Sequence, residues 1–207
     1  PAHAPLLAGA TFPYDEFLED SGGRKRLPQD WLPRPVRHVD ALPDGGFARE
    51  TYEDLALTTP AERLHLQLAP TGLVQRGYRR LSGGPVADVA FTPPVPWLPA
   101  PLQARSWSGA ATASTGETVN YAATLSGPET VPGPEPVPGA PRALWEGCWK
   151  LVLSSATRSG GTVTATAGDT LWFAPGAGVV RHHARSQQPI AGTWTWTRRT
   201  LNGLLWE

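Results

Sequence analysis

The sequence predicts a mostly β protein: one antiparallel meander forming a curved sheet, preceded by an irregular, Pro-rich N-terminal strap. Three observations predict it. The 207 residues include Pro 23 and Gly 22, and Pro removes a backbone donor while Gly costs entropy in a helix interior. Nine Trp argue for a packed core, since disordered chains are poor in aromatics. From residue 51 onward the apolar residues recur with a period of two, the signature of half-buried strands. No alternation of strand and helix and no dinucleotide-binding glycine fingerprint is present, which argues against a doubly wound parallel sheet. Periodicity alone leaves three closures open: a barrel, a sandwich or an open half-barrel.

Taken in order, residues 1–50 are the least regular and are expected to form an extension with at most a short helix. FPYDEFLED (12–20) has the composition for one or two helical turns. The following stretch is rich in Pro and Gly and is expected to lie extended across the domain, pinned by Trp31. The β domain is expected to span residues 51–207. Tyr52 to Thr58 places Leu55 and Leu57 on one face, and Arg63 to Leu68 alternates Leu64, Leu66 and Leu68 against Arg63, His65 and Gln67. APTG (69–72) turns the chain into a partner strand, Leu73 to Arg80. FTPPVPWLPAPLQ (91–103) holds too many Pro to pair as a central strand and is expected to run extended, anchored by Trp97. Strands follow at Arg105–Ala111 and Thr118–Leu125, then a second Pro/Gly-rich connection at 127–141 that reads as a surface loop. In the last third, Trp149, Leu151 and Leu153 share a face. SGG (159–161) and APGAG (174–178) turn two hairpins, and TWTWTRR (193–199) sets Trp194 and Trp196 on one face.

Composition narrows the function. Eighteen basic and eighteen acidic residues leave no net charge, so no global field draws in nucleic acid, and nucleic acid is not an expected partner. No apolar run approaches the ~20 residues that span a bilayer; membrane association, if any, is peripheral or through a lipid anchor. The absence of Met and the opening PAHAPLLAGA fit a chain processed behind an export signal. The single Cys148 has no partner for an internal disulfide and reads as a small buried apolar residue.

Several segments occur in a telling order: PPVPWLPAPL, then RSWSG, ETV with a Pro/Gly stretch, GCWKLVL and TLWFAPGAGVVR. In this order they resemble exported bacterial envelope lipoproteins of poorly defined function, whose closing hairpin has the form T-W-(Tyr/Phe)-APG-x-G-(Leu/Val)-V. The resemblance covers roughly residues 64–200. It implies a lipoprotein-carrier-like curved sheet in the periplasm or at the cell surface, and it carries no catalytic residues. The Cys that anchors such proteins is absent from the start of this sequence.

Two adjacent histidines close the APGAG hairpin. Neighbouring residues of a strand point to opposite faces, so His182 and His183 do not share a metal unless a bulge intervenes. With Val180 facing the core, His182 lies inside and His183 on the surface. A histidine-only site would need His183 with His65 and with His38 or His3 from the N-terminal strap, a set suited to copper or zinc, although none of the tight ligand spacings occurs. No Ser elbow and no convergent acid pair is found. Trp172, Trp194 and Trp196 are the candidate ligand platform, and Trp31 and Trp97 the candidate partner-docking residues.

The expected function is therefore a non-enzymatic binding or structural subunit of an envelope assembly, with another envelope protein or an apolar ligand as partner and no cofactor. The alternative is a copper- or zinc-binding envelope protein with superoxide dismutase-like protective activity. A third reading is a lipid or pigment carrier using the concave sheet face.

Overall fold

The computed structural model describes residues 11–23, 25–26, 36–52, 60–80, 86–133, 144–190 and 192–203. Every regular element among them is a strand: β1 (Thr11–Asp20), β2 (Lys25–Arg26), β3 (Val36–Ala41), β4 (Phe47–Tyr52), β5 (Pro60–Ala69), β6 (Gly72–Arg80) and β7 (Ala87–Pro99), then β8 (Arg105–Ala113), β9 (Thr118–Pro132), β10 (Leu144–Ser159), β11 (Thr162–Ala174), β12 (Gly178–Ile190) and β13 (Thr193–Gly203). All pairings are antiparallel, and from β3 to β13 sequence neighbours are sheet neighbours. The predicted meander is therefore the fold. Among the described residues no helix is long and apolar enough to cross a membrane.

The curved sheet comes back on itself through β1. Thr11–Pro13 pair with β3, and Tyr14–Asp20 pair with β13, so one strand joins both ends. The opposite side is nearly open: β7 meets β8 only at Phe91↔Ala113 and Thr92↔Thr112. The cause is in the sequence. Pro93, Pro94, Pro96 and Pro99 supply no N–H to a ladder, so the second half of β7 pairs on its β6 side alone. Where the backbones part, the Trp107 indole donates to the Pro96 carbonyl at 3.3 Å and holds the seam. FTPPVPWLPAPLQ thus lies extended as expected, but as a one-sided strand of the sheet.

Two expectations for the N-terminal region are corrected. FPYDEFLED is strand β1, not helical turns, because its partners β3 and β13 lie far away in sequence and outweigh local composition. The boundary expected at residue 50 falls inside β4, so β1, β3 and β4 belong to the one sheet. The strand expected at Tyr52–Thr58 lies largely outside the described residues, as does Trp31. In the second Pro-rich stretch, residues 127–132 continue β9. Register shifts opposite Trp145, Cys148 and Lys150 absorb its prolines.

Among the described residues the sheet has two apolar clusters, one on each face. The larger is on the concave side and includes Leu66, Leu125, Leu151, Leu171 and Phe173, each at most 2% exposed. The smaller lies outside, where Val131, Cys148, Trp172, Ala174 and Val180 pack together beneath the last hairpin. Trp149, Leu151 and Leu153 all belong to the concave cluster, as their alternation predicted.

Candidate ligand cavity on the concave face

The inward positions of β8 after Trp107 are Gly109, Ala111 and Ala113, neighbouring β9 adds Ala123, and Ala113 together with Ala165 of β11 borders the open space. These small side chains do not fill the concave side. What remains is a cavity of about 600 Å³, lined by residues from β4 through β12, within the size range of small-molecule sites. Its floor is apolar, formed by Leu64, Val95, Leu153 and Leu171. Polar groups stand above that floor on both sides.

On the β11–β12 side the lining carries a hydrogen-bonded pair, Asp169 and His182. Asp169 shares the inward face with Leu171, two residues on. His182 sits opposite Leu171, is 6% exposed, and its Nε2 lies 2.7 Å from Asp169 Oδ1. A bulge places it there. The β11–β12 register slips between Trp172 and Phe173, pairing Phe173 with Val179 and Trp172 with Arg181. Val180 is the extra residue and turns outward onto Trp172, whereas Val179 packs inward. The sequence expectation that His182 shares a face with Val180 is therefore wrong, although His182 is inside; an unforeseen bulge reverses the alternation between them.

On the β4–β7 side, Arg49 is buried and its guanidinium lies 4.9 Å over the Trp97 ring. The Trp97 indole donates to Gln75 Oε1 at 3.0 Å. Trp97 is 5% exposed, so the expected partner-docking residue is instead part of the cavity wall. Its inward position follows from the alternation of Val95 and Trp97 in β7. Tyr121 on β9 completes the ring of polar groups; a Cβ at Gly109 would fall 2.5 Å from its hydroxyl oxygen. The glycine leaves the space across which the ring lies. Burial pushes the Tyr121 phenol above its ordinary range.

The expected tryptophan platform is not on this face. Trp172 is buried on the outer side, where its indole donates to Glu129 Oε1 at 2.6 Å. His183 meets the ring edge-on at 5.0 Å, and Lys150 and Arg181 flank it at 5.4 and 5.6 Å. Trp194 and Trp196 pair with Pro189 and Gln187, which also alternate outward. Trp196 aligns through Gln187 with Thr166, six residues along β11 from Trp172, or about 20 Å. The three rings therefore form no common surface, and none is concave.

The three histidines proposed for a metal are also separated. His183 is on the outer face of β12, half-buried; its burial and the charges of Arg181 and Lys150 push its pKa below the ordinary value. His65 is on the outer face of β5, 3.6 Å from the Asp88 carboxylate, and burial lowers its pKa despite that neighbour. The shorter path between β5 and β12 crosses five strand spacings, about 24 Å along the sheet. His38 pairs in register with Glu50; its side chain lies outside the described residues, as does His3. Among the described residues no three His, Cys, Asp or Glu side chains converge as a metal site. Cys148 is fully buried, and burial followed by the Glu129 charge raises its thiol pKa, which suits an inert packing role.

Arg49, Asp169 and Tyr121 were not singled out from the sequence. Asp169 did leave a signal: a carboxylate two residues before Leu171 and four before Phe173 puts a charge on an otherwise apolar strand face.

No known protein family matches this chain, and no curated protein does. One solved structure aligns along nearly the full length, a protein of Parabacteroides distasonis provisionally named a lipoprotein. It shares 14% identity at a TM-score of 0.35, over 97% of this chain and 96% of its own. A similarity of that degree carries no argument about function.

Proposed function

We propose that this chain is an exported cell-envelope β protein that acts by binding, and that the concave cavity is its binding site. The observation that carries the reading is the cavity itself: about 600 Å³ with an apolar floor and the Asp169–His182 pair held at 2.7 Å in its wall. Such a shape, mostly pre-formed with a few directed polar groups, is characteristic of small-ligand sites. Export is supported by the order of the PPVPWLPAPL, GCWKLVL and TLWFAPGAGVVR segments. Among the binding roles, a bound small molecule fits this geometry better than a purely structural subunit, whose inner face would be filled.

Native mass spectrometry of the protein purified from its own host, without a histidine tag, tests this. A small molecule of fixed mass on most chains, lost when Ala165→Phe fills the cavity wall, is the expected outcome. Ligand-free chains that instead co-purify with another protein at fixed stoichiometry would overturn it.

A further inference from the structure

The lining of the cavity says what kind of molecule it suits. An acyl chain or an extended pigment needs walls that are apolar throughout. Here hydrogen-bonding groups interrupt the lining on both sides: Arg49 from β4, Ser155 and Thr157 from β10, Asp169 from β11 and Gln188 from β12. An apolar occupant would strip water from these groups and return no hydrogen bonds. A nucleobase would answer them only along the edge of one plane. Flat aromatic surface is supplied as well. Tyr121 lies across Gly109 and stays half-buried. Tyr78 and Phe91 lean on each other at 48° with centroids 5.9 Å apart, and both border the same space.

The matching shape is a ring that is polar around its whole perimeter and apolar on its faces. A pyranose is such a ring: its hydroxyls each donate and accept, and its C–H-rich faces stack on aromatic side chains. We propose that the cavity binds a pyranose saccharide, one sugar face resting on Tyr121 and a hydroxyl donating to Asp169. This rests on the cavity being the binding site and names the chemical class of its occupant. The Asp169 carboxylate, held by His182, serves as a preset acceptor for a sugar hydroxyl. Their 2.7 Å contact fixes both side chains before a ligand arrives, so little side-chain freedom is lost on binding.

Isothermal titration and intrinsic tryptophan fluorescence with maltotriose, cellotriose and chitotriose test the inference, with dodecanoate and adenosine as probes of the other classes. At least one trisaccharide is expected to bind at a Kd of about 1 mM or tighter. Tyr121→Leu is expected to weaken it at least tenfold. Asp169→Asn should do the same, Tyr121→Phe should retain it within about threefold, and the outer-face variant Trp194→Ala should leave it unchanged. Near-UV circular dichroism checks that each variant is folded; should Tyr121→Leu unfold, Asp169→Asn decides. Binding of dodecanoate or adenosine without any trisaccharide would overturn the saccharide and leave the cavity reading standing. Trisaccharide binding lost in Trp194→Ala but kept in Tyr121→Leu would place the sugar on the outer face and overturn the site. Failure of every probe would overturn the saccharide class, and the host-purified mass spectrum would then decide the cavity reading alone.

Discussion

Leu171 and His182 look into the cavity, whereas Trp172 and His183, one step along each strand, look outward. The two sides of this wall are built differently. Inside, the apolar floor continues through Leu125, Leu151 and Phe173 across several strands, and the buried polar residue His182 is held by Asp169. Outside, a single indole is hemmed by Lys150, Arg181 and His183 and tied to an exposed carboxylate, with only a small cluster beneath it. The contrast teaches that strand alternation assigns chemistry only after bulges have been counted. Without the slip at Trp172/Phe173, Val180 and His182 would share a face.

The comparison predicts a ranking of costs. Leu171→Ala, at 1% exposure, should be the most damaging, lowering unfolding free energy by about 3 kcal/mol through lost burial and a residual void. Urea denaturation measures it. Trp172→Phe keeps an aromatic ring but loses the donor to Glu129, a residue that water can solvate again, so about 1.5 kcal/mol is expected. Were the two costs equal, the outer cluster would be a second core of the same weight, and the contrast would fail.

The smallest effect concerns pH. The folded pKa of His183 lies below its unfolded value of 6.5, chiefly through burial and then through Arg181 and Lys150. As pH falls, the unfolded chain therefore takes up the proton first. Stability from this group is whole above 6.5, declines as pH drops toward the folded pKa, and is constant below it. Replacing His183 with Gln should flatten part of the fall in urea midpoint between about pH 7.5 and 5. Some decline should persist, because burial lowers the His65 pKa as well. An unchanged pH profile in His183→Gln would show that the outer site is open to water and that its ring contact has no thermodynamic weight.

Much of the fold was legible because local patterns and tertiary structure agree. The alternations through Leu64–Leu66, Ala123–Leu125 and Trp149–Leu153 each place buried residues on the concave side, since a period of two can satisfy only a strand with one apolar face. The candidate site was less legible. Tyr121 lies within the strand read at Thr118–Leu125, but nothing in its own segment says that Gly109 lies opposite and makes room for it. Arg49 looks like an ordinary surface charge until Trp97, far along the chain, is brought beneath it. Reading Trp172 as part of a platform failed because a face is a property of the register, and two rings two strands apart share one only if their positions also align.

By itself, then, the sequence determined the class: Pro and Gly forbade long helices, alternation demanded strands, and short turns demanded antiparallel neighbours. The prolines of residues 91–103 also determined where the sheet would pair on one side only, because a missing N–H is a local fact. Only tertiary structure decided the rest. The joining of both sheet ends through β1, the inward turn of His182 beside Asp169, and the cavity bordered by Ala113 and Ala165 all depend on long-range register. A one-residue slip in that register exchanges the two faces of a strand, and no segment carries the information to prevent it alone.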